Sequence, residues 1–293
     1  MTHPFPELLR RNAALVEAAL NEMLPASDDT QLRNAMRYAV LNGGKRLRGY
    51  LALESARLFD IPDTRSLRVA AAIECVHAYS LVHDDLPCMD DDALRRGQPT
   101  VHVKWDEATA VLVGDALQTL AFAILADPAT SPSPEVRLTL VARLAAAAGA
   151  DGMVLGQAQD IAAETALAPL DLTQITELQA NKTGALIAWS ATSGAVLAQS
   201  DTAPLENYAR ALGLAFQIQD DILDVEGDSE VAGKRLNKDA DAGKATFVSL
   251  LGLEAAKLRA KSLVEEASDM LSPYGEGAAA LRQVAQYVIS RDR

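Results

Sequence analysis

"LVHDDLPCMDDDALRRG", residues 81–97, places five aspartates and two arginines directly after an apolar run. A surface helix scatters such charges, and a core helix excludes them. The first pair, Asp84 and Asp85, falls near the C-terminal end of a predicted helix over 65–86, where the macrodipole is already negative. Pro87 disfavours αR geometry in the residue before it, so regular helix should be lost after about Asp85. A carboxylate cluster in that position needs a cation to compensate it.

Outward from this stretch, helical periodicity is almost continuous and no segment alternates cleanly as a strand does. Helices are expected at about 6–23, 30–41, 45–59, 65–86, 105–126, 134–147, 150–163, 171–199, 204–225, 245–271 and 276–290. Short breaks rich in Pro, Gly, Ser and Asp separate them, and none resembles an interdomain linker. The expectation is an all-α fold, one large helical bundle forming a single domain over residues 1–293. The polar, lysine-bearing segment 226–244 is the exception, long enough to be a lid or binding loop.

Hydrophobic residues make up 49% and charged residues 23%, as in a soluble globular protein. The formal charge of -13 argues against nucleic acid or an anionic membrane as a partner. Two cysteines, Cys75 and Cys88, read as free thiols in a reducing compartment. The N-terminus carries acids and arginines where a signal peptide needs an apolar core. The longest uncharged stretch, 183–200, contains Thr, Ser, Gly and Gln and reads as a buried helix. A cytoplasmic protein is expected.

A second acidic cluster, "FQIQDDILD", stacks Asp220 and Asp224 one helical turn apart with Asp221 alongside and Gln217 on the same face. One such cluster fits an exposed acidic stripe, whereas two at apolar helix ends, 220 − 84 = 136 residues apart, suggest metal. Every candidate ligand is an oxygen, which suits Mg²⁺. Mg²⁺ prefers one or two carboxylates plus substrate phosphates, so two clusters facing each other would grip a polyphosphate through bridging ions. The metal would also invert the local field and reconcile an acidic chain with an anionic substrate.

Basic residues occupy places that would complete such a site. "NGGKRLRG" sets Lys45 and Arg48 at a predicted helix start after Gly43-Gly44, a plausible anion site or an ordinary basic turn. Arg95 and Arg96 either bind ligand or simply neutralise the aspartates before them, and Lys182-Thr183 enters the uncharged helix, where a lysine can also snorkel. Lys234 and Lys244 lie in the long polar segment. Glu74 and His77 form an ExxH, but a di-iron bundle needs two copies and only one is present. No GxSxG, P-loop or GxGxxG occurs.

Taken in order, "GGKRLR", "HDDLPCMDDDALRRGQPT", "GDALQTLAF", "GQAQD", "NKTGAL" and "FQIQDDILDVEGD…GKR…D…GKATF" resemble the polyprenyl diphosphate synthases, the isoprenoid trans-prenyltransferases, and most of all the bacterial farnesyl diphosphate synthases. The resemblance implies long helices around a deep central cavity, a homodimer, and head-to-tail condensation of isopentenyl diphosphate with allylic diphosphates using three Mg²⁺. It assigns metal binding to Asp84, Asp85, Asp90, Asp220, Asp221 and Asp224. Arg95, Lys182, Lys234 and Lys244 would hold the allylic diphosphate, with Thr183 and Gln217 facing the developing allylic cation. Gly44, Lys45, Arg48, His77 and Arg96 would bind isopentenyl diphosphate. The released diphosphate would serve as the base, so no dedicated base is needed.

In the DDxxD form of the first motif the third aspartate would be residue 88. Here that residue is Cys88 and the matching acid is Asp90. Tyr79, with Ser80 beside it, stands where farnesyl-producing members place an aromatic cavity floor, which implies a C15 product; C10 and C20 synthases of the same family are the alternatives. Asn237 departs from the glycine common in relatives. A terpene cyclase would carry an Asn/Ser/Glu-type second motif, and a noncatalytic subunit commonly loses aspartates; neither pattern is seen.

Overall fold

A computed structural model describes residues 5–166, 168–226 and 245–291. The described residues are almost wholly helical; their only strands form a two-residue hairpin, β1 (Leu94–Arg95) and β2 (Gln98–Pro99), so the expected all-α class holds. The chain divides into two compact units, Met1–Val141 with Ser193–Gln199, and Ala142–Thr192 with Ser200–Arg293.

The first unit contains α1 (Phe5–Met23), α2 (Gln31–Leu41), α3 (Leu47–Arg57), α4 (Asp63–Asp84), α5 (Val101–Lys104) and α6 (Glu107–Ala126). Helix α4 packs most extensively on α6 and then on α3. Its middle is buried all round, from Val69 through Val76, and small residues at 70–72 let its neighbours approach closely. By composition and length α6 could cross a bilayer, but Val113, Leu117, Ala121 and Leu125 are buried within the protein. The His83 ring lies where a side chain at Gly114 would be, and its Nε2 meets the Val111 carbonyl at 3.1 Å.

The second unit contains the C-terminal half of α7 (Pro134–Ala148), then α8 (Met153–Glu164) and α9 (Leu172–Gln179). A π-helical turn (Ala180–Gly184) follows and leads into α10 (Ala185–Leu197), whose last residues belong to the first unit. The rest is α11 (Ala203–Glu226), α12 (Phe247–Leu251), α13 (Leu253–Met270), a 3₁₀ segment (Ser272–Ala278) and α14 (Ala279–Ser290). Buried residues on α11 recur at helical spacing (Leu205, Tyr208, Leu212, Ala215, Ile218, Ile222), and its chief partner is α13. The Tyr208 hydroxyl donates to the Leu281 carbonyl at 2.8 Å, tying α11 to α14.

Two helices expected as continuous are interrupted. The stretch 171–199 carries the π turn, and 245–271 breaks at Gly252, whose φ of 80° favours glycine. Both cysteines are free, Cys75 buried and Cys88 exposed.

Within the first unit, α10 meets α3 at Gly194, whose N–H donates to Ser55 Oγ at 3.1 Å. A Cβ there would sit 2.2 Å from the Ser55 carbonyl carbon and 2.3 Å from the Ala56 nitrogen, backbone that has no rotamer with which to yield. Gly194→Ala should therefore lower the unfolding free energy by about 1–3 kcal/mol, as overpacking does. Urea denaturation followed by circular dichroism measures this, and an unchanged midpoint would refute the close approach.

Candidate active site

In the first unit, α4 ends at Asp84 with Asp85 as its cap, two residues before the expected end. The Asp90 N–H donates to the Asp84 carbonyl at 2.9 Å, and those of Met89 and Asp91 donate to the Leu86 carbonyl at 2.9 and 3.1 Å. These bonds fold residues 86–91 into a loop that returns Asp90 to the helix end, from which a continued helix would have carried it away. Asp84 is partly exposed and Asp90 is exposed.

Asp85 turns inward and is 4% exposed. It accepts a hydrogen bond from Arg95 Nε at 2.9 Å and a second from Arg95 Nη2, while Asp92 lies 3.5 Å from the same guanidinium. Burial pushes the Asp85 carboxyl above its ordinary pKa, and Arg95 offsets this only in part. Arg95 is thus committed to the aspartates.

Arg96 is not. Arg96 and Gly97 form the hairpin turn, both with positive φ (53° and 75°), the backbone of a two-residue type I′ turn. The Arg96 guanidinium reaches the Gly43 carbonyl and lies over Gly44, where a Cβ would approach it to 2.6 Å. Gly44, at φ 120°, is therefore required twice, for its backbone and for this contact.

Four arginines act electrostatically on His77. Burial first, and then the fields of Arg48, Arg96, Arg46 and Arg95, keep its pKa well below the ordinary histidine value, so the imidazole is neutral at pH 7. The structure thus brings Gly44, Arg48, His77 and Arg96 into one electropositive neighbourhood, with Lys45 exposed in the same turn. Ser80 Oγ donates to the His77 carbonyl at 3.0 Å. Tyr79 is buried, its ring packed edge-on to His83 at 5.8 Å. Burial raises the pKa of the Tyr79 hydroxyl, with the Gln118 side chain opposing and Asp84 reinforcing the shift.

Two residues without an assigned role hold this neighbourhood in place. Arg46, 4% exposed and left-handed (φ 52°), caps α3 and donates to the Val40 carbonyl at 2.5 Å. Its Nη1 lies 3.5 Å from Glu74 Oε2, and Glu74 Oε1 accepts the Gly49 N–H at 2.9 Å. The ExxH glutamate thus anchors the start of α3 rather than a di-iron centre.

In the second unit, Lys182 Nζ pairs with Asp160 Oδ2 at 2.8 Å, and Asn181 Nδ2 donates to Gln159 Oε1 at 3.1 Å. Gly156 of α8 abuts the backbone of Lys182, where a Cβ would fall 2.1 Å from its nitrogen. Lys182 and Thr183 sit within the π turn, a local widening that is common at functional sites. On α11, Asp221 is buried; its Oδ2 accepts the Phe247 N–H at 2.7 Å and its Oδ1 accepts Gln217 Nε2 at 3.2 Å. Asp220 Oδ1 accepts Arg291 Nη2 at 2.6 Å, and the Arg291 guanidinium stacks 3.9 Å from the Phe216 ring centre. Asp224 is partly exposed on the last turn of α11. Lys234 and Lys244 lie outside the described residues.

The "GQAQD" motif contained Asp160 and "GGKRLR" contained Arg46, so both were visible as motif members although neither was singled out. Arg291 carried no sequence signal at all. Among the described residues no three carboxylate, imidazole or thiol groups converge as a ready-made metal cage. Small, incomplete sets of oxygen donors are what Mg²⁺ accepts, because water and substrate phosphate fill its remaining positions.

A family model described as polyprenyl synthetase matches residues 29–284. Farnesyl diphosphate synthase of Escherichia coli (strain K12) is 43% identical over 302 residues, covering 99% of either chain. The crystal structure of an apo FPP/GFPP synthase from Zymomonas mobilis superposes with a TM-score of 0.88 at 46% identity, covering 97% of this chain and 98% of that one. Geranyltransferase from Helicobacter pylori, solved in complex with magnesium and isoprenyl diphosphate, gives 0.83 at 36% identity over 99% and 98%.

Removing Glu74 strips Arg46 of its buried partner and the Gly49 N–H of its acceptor. Glu74→Ala should cost about 3–5 kcal/mol in denaturant unfolding. Glu74→Gln, which keeps an acceptor, should lose less. Equal stability of all three proteins would contradict the anchoring role.

Proposed function

The chain belongs to the polyprenyl synthetase family, and from that premise we propose that it condenses isopentenyl diphosphate head to tail with dimethylallyl and geranyl diphosphate, giving farnesyl diphosphate (C15) and diphosphate. The observation that carries this reading is the near-full-length likeness to a protein named for that product. The family match spans residues of both units, which supports one prenyltransferase domain over 1–293.

We infer that Asp84, Asp85 and Asp90, and on α11 Asp220, Asp221 and Asp224, serve three Mg²⁺ ions when substrate is bound. Magnesium held there supplies positive charge to the departing diphosphate. Asp85 and Asp221, both buried and hydrogen-bonded within the protein, fix the clusters from behind; Asp84, Asp90, Asp220 and Asp224 keep access to solvent. Lys182 and Arg95, already ion-paired to Asp160 and Asp85, are held in place to bind the allylic diphosphate, and Lys234 and Lys244 complete that set.

When the allylic C–O bond breaks, its electron pair leaves on diphosphate and an allylic cation remains. Gln217 gives an amide N–H to Asp221, which leaves its electron-rich amide oxygen for that cation, and the Thr183 hydroxyl serves alongside it. Gly44, Lys45, Arg48, His77 and Arg96 hold isopentenyl diphosphate, whose double bond attacks the allylic carbon. A C–C bond forms, and the proton lost from the new chain goes to the released diphosphate. A neutral His77 donates a hydrogen bond here without adding a further charge among the arginines.

The free thiols support a cytoplasmic setting, and the charge of -13 supports the absence of a nucleic-acid partner. Exposed Val111 and Leu112 on α6 support a homodimer in which a second copy covers them.

Incubation with Mg²⁺, isopentenyl diphosphate and labelled geranyl diphosphate, then dephosphorylation and chromatography, should yield farnesol as the main product. Absence of turnover, or geranylgeraniol as the main product, would overturn the C15 assignment. Tyr79, about 7.5 Å along α4 from Asp84, is proposed as the floor beneath the growing chain. Tyr79→Ala should raise the geranylgeraniol share severalfold, and an unchanged C15 profile would remove it from that role.

A further inference from the structure

The second unit holds a cavity of about 580 Å³ among α7, the π turn, α10 and α11, and none of the residues proposed for the reaction lines it. A packed interior leaves few voids larger than a water molecule, and small-molecule pockets measure roughly 300–1,000 Å³. The space exists because its walls are built from the smallest side chains: Ala146 and Ala147 on α7, Gly184 at the end of the π turn and Ala185 on α10. The Trp189 indole and Leu214 supply the larger apolar surface.

The charges at the cavity are unequally committed. Arg143 Nη2 bonds Glu206 Oε1 at 2.6 Å, and the same oxygen accepts Thr202 Oγ1 at 2.9 Å. Arg143 first, then Thr202 and the field of Arg210, hold the Glu206 carboxyl below its ordinary pKa, so the Arg143–Glu206 pair is neutralised internally. Arg210, one turn further along α11, is exposed and makes no hydrogen bond or ion pair among the described residues. It offers a planar guanidinium with its donors unspent beside an apolar hollow. Asp151, in the turn between α7 and α8, is the remaining charge among the lining residues; it too is exposed and makes no hydrogen bond or ion pair among the described residues, so a cationic probe is the control that decides between the two charges.

We propose that this cavity binds an amphiphilic anion, with a hydrocarbon body against Trp189, Ala185 and Leu214 and a single carboxylate or phosphate head on Arg210. No proposed substrate-binding residue lines the site, although Ala180 and Gly184, which border it, are the two ends of the π turn that carries Lys182 and Thr183. An occupant therefore touches the same turn of backbone from a different side chain set.

Trp189 is one of only two tryptophans, so Trp105→Phe leaves it as the sole indole reporter in the full-length protein. That protein is titrated with decanoate, decyl phosphate and decyltrimethylammonium while Trp189 emission is followed. Either anion should give a saturable shift, and the cation should not. Arg210→Gln, a change at an exposed residue, should weaken anion binding at least about tenfold, as loss of a charge-assisted hydrogen bond does. Ala146→Phe, introduced from the exposed side of α7, should abolish the shift by filling the cavity. A non-saturable response, equal binding of the cation, or full affinity in Arg210→Gln would overturn the proposal.

Discussion

A helix that ends in two carboxylates must find positive charge, and the buried Asp85–Arg95 pair is where the first acidic motif finds it. Asp85 is driven inward at the negative end of α4, where neither burial nor the helix dipole favours an anion. Arg95 reaches it because residues 86–91 fold back and the Arg96-Gly97 turn reverses the chain. Breaking such a pair by removing one partner leaves a buried charge uncompensated, at a cost of about 3–5 kcal/mol. The geometry of Asp84 and Asp90 follows from it, since both are held at the helix end by the same loop.

The same economy of charge recurs elsewhere in an acidic chain. Arg46 and Glu74 form a buried pair inside the first unit, while Arg48, Arg96, Arg46 and Arg95 all contribute to the field around His77. In the second unit Lys182 leans on Asp160, and Asp220 on Arg291. Lys182 and Asp220 are thus each steadied by a residue of opposite charge that is not itself expected to touch substrate. Preorganisation of this kind spares the site the reorganisation that new charges would otherwise demand.

Much of this was readable from residue order. The all-α class followed from helical periodicity, and the early end of α4 from Pro87. The motifs from Gly44 to Asp224 marked the positions that the structure gathers into an electropositive neighbourhood around His77 and two acidic helix ends. Other features left no local trace. The π turn at Ala180–Gly184 depends on Gly156 admitting the Lys182 backbone, a contact between residues about two dozen apart. Arg291 meets Asp220 from the far end of the chain, where nothing nearby marks it. Asp221 has the same residue type as Asp220 in the sequence yet faces inward to Phe247, because adjacent residues on a helix point about 100° apart.

The central claim is that the acidic helix ends bind an allylic diphosphate only through magnesium, since bare carboxylates repel a polyphosphate. Equilibrium dialysis with a non-ionising thio-analogue of geranyl diphosphate separates this binding from turnover. Tight binding should require Mg²⁺ and should collapse when EDTA is added or when Asp84 is changed to Asn. Equal affinity with and without the metal would contradict the claim.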